Sequence, residues 1–268
     1  MLQEYFEKVD AAFGCIKADP KWKTFTYNGI KMMGVNKVVQ QYEPKFDKVG
    51  QAAKTAAKEG KTPEQVIAEW DMKGKISSAL GSVIHEYIEG AMANKFVPYP
   101  DVDIKAQFGG EDPIQESYNR IALQVNNFRE SIRGKLIPVG SEVVIGSPKY
   151  MICGIVDQIF WNKKAQEFQI WDWKTNGKFN LDSNFKLEGL LSRLGNCEYH
   201  KYSMQLALYR RIFTEETGIP IGKCYLCWFS SETPVQQMFP IYDCEAEANA
   251  IMAERAKQLG LVDQGSVF

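Results

Sequence analysis

The spacing of apolar residues predicts helices in the first half of the chain. The clearest case is 76–95, where Leu80, Ile84 and Ile88 recur at about one helical turn and form one apolar stripe. Polar stretches rich in glycine, proline and asparagine separate the helical segments. The predicted helices are 1–19, closed by Asp19-Pro20, 50–70, interrupted near 60–63, 76–95 and 114–133, and the predicted irregular segments are 21–48 and 97–113.

The pattern changes at Pro138 to short runs of β-branched and aromatic residues bounded by turn residues, which is typical of strands. A later helix is predicted to end at Gly218, because glycine commonly closes helices. The predicted order is a three-strand meander, a helix, a hairpin and a final helix. This order indicates an α/β fold with a mixed central sheet flanked by helices. The predicted elements are strands 141–146, 149–161 and 167–174, a variable segment 175–198, a helix 199–217, strands 223–230 and 235–242, and a helix 244–259.

Composition narrows the class of protein. The chain has 268 residues, of which 45% are hydrophobic, and a formal net charge of −1. These values exclude a disordered or collagen-like chain and allow one large core. We therefore expect a single domain over 1–268, mainly helical over 1–135, with the sheet core over 136–268. The near-zero charge argues against a protein that coats nucleic acid through bulk electrostatics, although a local basic surface remains possible.

The chain lacks the sequence features of a membrane or secreted protein. No apolar run approaches the roughly 18–20 residues that span a bilayer. The N-terminus carries acidic residues early and has no apolar signal-peptide region. We therefore expect a cytoplasmic protein without membrane association, within a bacterial host cell if a phage encodes it.

Charged residues interrupt two predicted strands. Asp157 lies among apolar residues, and Asp172 and Lys174 alternate with Trp171 and Trp173. Because strand side chains alternate between faces, the aspartate and the lysine share one face and the tryptophans share the other. Two carboxylates and an ammonium group favour a divalent cation such as Mg²⁺. Taken alone, a structural ion pair explains Asp172 and Lys174 equally simply.

Two predicted helices carry further candidates. His85 flanks the apolar stripe of 76–95, and Gln205 and Tyr209 are one turn apart on 199–217. Each has an ordinary structural explanation, as a packed histidine and as the polar edge of a core helix. Their significance lies in their order relative to the strand motifs.

The order of a helical histidine, Gly-x-x-Asp, Asp-x-Lys-Thr and Gln-x-x-x-Tyr resembles the PD-(D/E)XK nuclease superfamily. The resemblance is closest to its RecB-nuclease-like branch, which includes phage and mitochondrial exonucleases, and covers roughly 27–243 with a lead-in at 35–47. One departure is Val156, which stands before Asp157 where the superfamily name has proline. The matching residues are Gly81, His85, Glu89, Glu142, Gly154, Asp157, Asp172, Lys174, Thr175, Gln205 and Tyr209.

The resemblance implies a restriction-endonuclease-like core that cleaves phosphodiester bonds with one or two Mg²⁺ or Mn²⁺ ions. By that analogy, the metal ligands are His85, Asp157, Asp172 and the carbonyl of Trp173. Lys174 would orient or activate the attacking water. The implied metal chemistry agrees with how divalent ions activate water and polarise phosphoryl oxygens.

Other residues have supporting roles under the same resemblance. Gln205 and Tyr209 would position the Lys174 strand and the DNA backbone, and Glu142 and Glu89 are possible accessory residues. The variable segment with the start of the following helix offers groups that would guide a DNA strand. The predicted DNA-binding residues are Thr175, Lys178, Arg193, Lys201 and Tyr202.

Other chemistries fit the sequence less well. Cys224 and Cys227 form a CxxC pair, but residues three apart on a strand face opposite sides, which disfavours an iron–sulfur cluster. No Gly-x-Ser-x-Gly motif accompanies the two histidines. The leading hypothesis is a metal-dependent DNA nuclease, expected to be an exonuclease, in phage or bacterial recombination, repair or replication. The alternatives are an inactive nucleic-acid-binding subunit of the same fold and an iron–sulfur relative.

Overall fold

The computed structural model describes residues 2–19 and 24–261. Its helices are α1 Leu2–Phe13, α2 Val35–Gln40, α3 Lys48–Glu59, α4 Pro63–Met92, α5 Asp101–Gln107, α6 Gln115–Ile132, α7 Glu198–Thr217 and α8 Glu245–Gln258. Its strands are β1 Ile16–Asp19, β2 Thr24–Tyr27, β3 Ile30–Lys31, β4 Met33–Gly34, β5 Leu136–Ser147, β6 Ile152–Asn162, β7 Glu167–Lys174, β8 Ile221–Phe229 and β9 Gln236–Pro240.

Strands β4 to β9 form a mixed six-stranded sheet, which confirms the predicted fold class. β5, β6 and β7 make an antiparallel meander. β8 lies parallel to β7, since the chain crosses over through α7, and β9 completes an antiparallel hairpin. The short β4 pairs in parallel with the start of β6. The meander, helix, hairpin and helix follow one another in the predicted order.

The two faces of the sheet contribute to two hydrophobic cores. On one face α1, α2, α7 and α8 pack over sheet residues that include Ile145 and Ile170, and Phe213 of α7 belongs to the same core. On the other, α4 and α6 cover an aromatic cluster around Trp171 and Trp173. The two tryptophans are therefore buried on the face opposite Asp172 and Lys174, as the alternation predicts.

The first 40 residues differ from the prediction. The first helix ends at Phe13, and Ile16–Asp19 is a strand, whereas the prediction extended the helix to 19. The segment 21–48, predicted to be irregular, contains strands, α2 and the start of α3. β1, β2 and β3 form a small sheet whose residues are largely exposed or half-buried, so they lack the alternation that identifies a strand. Pro20 lies outside the described residues.

Helix α4 is longer than predicted. The break near 60–63 is confirmed, because Gly60 ends α3 with a φ of 66° and Thr62 forms a capping box with Gln65. From Pro63, however, the helix continues through 71–75 to Met92. Its exposed middle turns carry no apolar stripe, so the sequence divides one helix into two. The segment 97–113, predicted to be irregular, holds α5.

None of the helices in the described part of the chain is long and apolar enough to cross a membrane.

Candidate metal centre

Three ligand-type side chains from different elements meet at one point. His85 comes from α4, Glu142 from β5 and Asp157 from β6, and one donor atom of each lies within 4.8 Å of the others. His85 Nδ1 is 3.6 Å from Glu142 Oε1 and 3.8 Å from Asp157 Oδ2. One imidazole nitrogen with two carboxylate oxygens is a donor set that binds first-row divalent metals. The residues present thus fit a divalent cation.

Backbone distortion marks the position of Glu142. The residue lies between the paired positions Ser141–Gln158 and Val143–Val156 of β5 and β6, as Asp157 does on the partner strand. Its φ is 48°, in the left-handed region, which is costly for a residue other than glycine. Irregular strand positions of this kind re-aim side chains near functional sites. The distortion coincides with the point where the carboxylate approaches His85.

A buried ion pair stands beside this cluster. Lys174 Nζ is 2.6 Å from Asp172 Oδ2, and the two side chains are 16% and 2% exposed. The ammonium group also lies 4.1 Å from the ring centroid of Tyr202, a cation–π distance. Asp172 therefore has Lys174 as its charge partner, and the donor cluster consists of His85, Glu142 and Asp157.

The protonation of these groups is set by burial and by each other's charge. Burial and the nearby Asp172 carboxylate raise the pKa of Asp157 to about 7. Burial alone would lower the pKa of Lys174, but the attraction of Asp172 and Asp157 outweighs it and raises this pKa. The pKa of His85 is likewise raised, since Glu142 and Asp157 overcome the effect of burial. A divalent cation bound beside Asp157 would favour the ionised form of its carboxylate.

Trp173 supports the cluster through its backbone. Its N–H donates to Asp157 Oδ2 at 2.8 Å, while its ring lies in the aromatic core against Phe128 and Phe229. The aromatic packing thus holds a backbone donor beside the carboxylate. The sequence prediction assigns a metal-ligand role to the Trp173 carbonyl, and this stays a prediction.

Gln205, Tyr209 and Gly154 form one contact group under the sheet. Gln205 Nε2 donates to Tyr209 Oη at 3.0 Å. A Cβ added at Gly154 would lie 2.4 Å from Tyr209 Cε1 and 2.6 Å from its hydroxyl, so only glycine fits there. Burial raises the pKa of Tyr209, and its hydroxyl also contacts the backbone at Ile155. The helix α7 therefore fixes the backbone of β6 just before Asp157.

A cavity of about 250 Å³ opens beside the ion pair. Thr175 and Tyr202, two predicted DNA-binding residues, line it, and α4 passes Thr175 closely at Gly81. Ser77 also lines the cavity and was not predicted, although it lies two turns before His85 on the same helix. The lining consists of Ser77, Leu80, His85, Trp173, Lys174, Thr175, Asn176, Gly177, Tyr202 and Ser231.

Other predicted site residues belong neither to the donor cluster nor to the cavity lining. Arg193 pairs with Glu247, at 2.5 Å from Nε to Oε1 and 2.9 Å from Nη2 to Oε2. Lys201 Nζ lies 3.3 Å from Glu43 Oε2. Lys178 and Glu89 are exposed, and Glu89 is outside the donor cluster. The DNA-binding roles stay predictions, and for Arg193 the structure offers a structural role within the fold.

The cysteine pair of β8 is divided between the two cores. Cys224 belongs to the core under α7, and Cys227 belongs to the aromatic core on the other face. Burial raises the pKa of the Cys224 thiol to about 12 and that of Cys227 as well. Both side chains therefore serve as apolar packing groups in this structure.

Comparison with protein-family models and with curated proteins finds no match. Among solved structures, the chain is similar to a protein from Eubacterium rectale that is provisionally named an exonuclease, with 15% identity and a TM-score of 0.48, over 88% of this chain and 83% of that one. It is also similar to the protein SSO0001, with 14% identity and a TM-score of 0.33, over 100% of this chain and 89% of that one. Likenesses with TM-scores below 0.5 carry no information on activity.

Proposed function

We propose that this protein is a metal-dependent DNA nuclease, acting as an exonuclease that hydrolyses phosphodiester bonds. The observation that carries the proposal is the meeting of His85, Glu142 and Asp157 beside the buried Asp172–Lys174 pair. The order of these residues along the chain also resembles the PD-(D/E)XK superfamily. A role in phage or bacterial recombination, repair or replication, with a partner protein from such a system, follows from that resemblance.

The donor cluster would hold one or two Mg²⁺ or Mn²⁺ ions. His85, Glu142 and Asp157 supply the nearest donors, and Asp172 becomes available if Lys174 turns toward substrate. A bound divalent ion supplies Lewis-acid polarisation of a phosphoryl oxygen and a lowered pKa for its water. Carboxylate and imidazole donors of this kind, together with substrate phosphate, suit either metal.

The chain's own residues contribute charge and position. Lys174 keeps its proton, because Asp172 and Asp157 raise its pKa, so it acts as a charged ammonium group. Lys174 lines the cavity with Thr175 and Tyr202. A phosphate oxygen bound there would accept a hydrogen bond from its ammonium group. His85 Nδ1 lies near both carboxylates, 3.6 Å from Glu142 Oε1 and 3.8 Å from Asp157 Oδ2. Such preorganised charge acts where negative charge develops during phosphoryl transfer.

One gel experiment tests the proposal. End-labelled single-stranded and double-stranded DNA are incubated with the protein in Mg²⁺, in Mn²⁺ and in EDTA. We expect progressive shortening from one end with either metal and none in EDTA. Cleavage that persists in EDTA contradicts the proposal. DNA binding without cleavage in any metal would instead support the inactive subunit, and absorbance near 400 nm would support the iron–sulfur relative.

A further inference from the structure

A short segment of the chain connects α7 with α4 beside the donor cluster. We call residues 43–48 the strap; it lies after α2 and ends at the first residue of α3. At one end, Glu43 Oε2 lies 3.3 Å from Lys201 Nζ on α7. At the other end, Lys48 Nζ lies 2.6 Å from Asp71 Oδ1 on α4. The strap therefore crosses from one helix to the other.

Backbone and packing contacts hold the strap at both ends, where exposed ion pairs alone would contribute little. Just before the strap, the carbonyl of Tyr42 accepts the backbone N–H of Glu188 at 2.7 Å. Near its end, the ring centroids of Phe46 and Trp70 are 6.3 Å apart. Helix α3 then packs on α4 through a small core around Val66. The position of the strap thus depends on more than its two ion pairs.

Both attachment points of the strap lie on the side of the donor cluster. Lys201 directly precedes Tyr202, which lines the cavity and lies under the Lys174 ammonium at 4.1 Å from its ring centroid. On α4, Asp71 stands 14 residues before His85. Two heptads on a helix leave the two side chains on one face, within about 40° of each other. The strap therefore lies on the face of α4 that carries His85.

The strap completes a closed frame of contacts around the cavity. The frame passes through α4, the donor cluster, β7, α7 and the strap, and returns to α4. On the site side, His85 lies 3.8 Å from Asp157, and Asp157 accepts the backbone N–H of Trp173 on β7. The next residue of β7, Lys174, contacts Tyr202 on α7. Each step of the frame is thus a contact within the described residues.

The frame is open between the strap and the cavity. Residues 71–75 of α4 are all exposed, and five successive residues cover every side of a helix, so no element in the described part of the chain buries α4 there. The cavity lining includes no residue of the strap. Glu43 and Lys48 are five residues apart, which limits their separation to about 17 Å. Such an opening admits a single nucleic-acid strand and is too narrow for a B-form duplex.

We propose that the strap encloses a single DNA strand that enters the frame by a free end. This inference rests on the proposed function, which supplies DNA as the ligand. A closed frame can be threaded only by an end, so the substrate is a single strand with at least one unblocked end. Threading also gives a physical reason for digestion that starts from an end.

The test varies the order in which the strand ends are blocked. A labelled single strand of about 40 nucleotides, longer than the site sizes of single-strand binding folds, carries biotin at both ends. Streptavidin is added either before or after the protein, in Ca²⁺. Excess unlabelled strand at high salt follows, because salt weakens contacts to phosphates that lie outside the frame. Native gels then measure the lifetime of the labelled complex.

We expect streptavidin added after the protein to lengthen the lifetime at least about tenfold, because a threaded strand then has no end by which to leave. Streptavidin added first should give no long-lived complex. A duplex with the same biotinylated ends should not be trapped in either order. Equal lifetimes in the two orders overturn the inference, and so does trapping of the duplex.

A matched pair of insertions tests whether the strap causes the trapping. The recognition sequence of a site-specific protease is inserted between the exposed Lys45 and Phe46 of the strap. The control carries it between the exposed Lys163 and Lys164 of the β6–β7 turn. Cutting the strap should release the trapped strand, and cutting the control turn should not. Retention after a complete strap cut overturns the inference. If an insertion variant does not fold, the order of addition with the wild type still decides.

Trapping and cleavage separate this inference from the proposed function. If the wild type traps the strand but never cleaves it in Mg²⁺, the nuclease proposal fails and the strap inference holds. If the wild type cleaves DNA without trapping a strand, only the strap inference fails. Absence of any complex with single-stranded DNA overturns the strap inference directly.

Discussion

The two faces of β7 have opposite chemistry. Trp171 and Trp173 pack against α6 through Phe128, while Asp172 and Lys174 form a buried ion pair on the other side. The aromatic face gains stability by removing large apolar surfaces from water. The ionic face gains little, because desolvation of two charges offsets their attraction. Under the proposed function, one strand serves folding on one side and chemistry on the other, and we expect the two roles to be separable by mutation.

The largest expected effect is on the aromatic face. Trp171→Ala removes a buried ring that contacts Phe128, Phe160 and Tyr225, and it should lower the free energy of unfolding by about 3–5 kcal/mol. Urea unfolding followed by circular dichroism measures this loss. Cleavage per folded molecule should stay near the wild-type rate below the unfolding transition. A loss of cleavage by Trp171→Ala with unchanged stability would contradict the separation of folding and chemistry between the two faces.

The next effect belongs to the ionic face. Asp172→Asn should lower the single-turnover cleavage rate by about 10²–10³-fold, because it removes the carboxylate that holds the Lys174 ammonium in place and that would serve as a further metal donor. The variant should still fold, since the Lys174 ammonium keeps Tyr202 and Asp157 as neighbours. Glu111→Gln changes an exposed carboxylate and serves as the control. Wild-type cleavage by Asp172→Asn is incompatible with the proposed role.

Gly154→Ala tests how α7 supports the ionic face. The new methyl group would overlap the ring of Tyr209, which should cost about 1–3 kcal/mol of stability and slow cleavage by moving β6. The double variant with Tyr209→Leu should recover part of the lost stability, because the smaller side chain leaves room. Thermal melts of the two single variants and the double variant measure this coupling. Strictly additive effects would show that the two positions do not touch.

These contacts also show what the sequence could predict. Alternation along β7 predicts which side chains share each face of the strand. The order of the motifs, through the resemblance, predicts that His85, Asp157, Asp172 and Lys174 lie in one region. The resemblance names Glu142 only as an accessory residue, because its place in the donor cluster depends on a left-handed backbone position that no glycine marks in the sequence. Long-range contacts of this kind are set by strand register and packing. They are absent from any local window of the chain.

Two further features could not be predicted from local sequence. The DNA-binding role of Arg193 stays a prediction, but its ion pair with the buried Glu247, 54 residues later, was not predicted. The continuity of α4 through 71–75 was missed because exposed turns need no apolar residues. Local composition does not identify an ion-pair partner that is distant along the chain. It also does not show that a helix continues through turns that are exposed to solvent.

The smallest expected effect concerns the Arg193–Glu247 pair, which lies outside both faces of β7. The Arg193 guanidinium lowers the pKa of Glu247 below its usual value of 4.5. Its stabilising contribution is therefore full above pH 4.5 and is lost as the pH falls through the folded-state value. Glu247→Gln should lower the melting temperature modestly at pH 7 and have less effect near pH 3. An equal effect at both pH values would exclude an ionic contribution, and cleavage should be unchanged.

The central claim is that His85, Glu142 and Asp157 form a divalent-metal site. Titration of Mn²⁺ into the protein, followed by electron paramagnetic resonance of the free ion, tests it without any substrate. The account predicts one or two bound ions, affinity reduced at least about tenfold in His85→Ala, and no change in His200→Ala, the other histidine of the chain. Equal Mn²⁺ binding by the wild type and His85→Ala, or no binding at millimolar Mn²⁺, would contradict it.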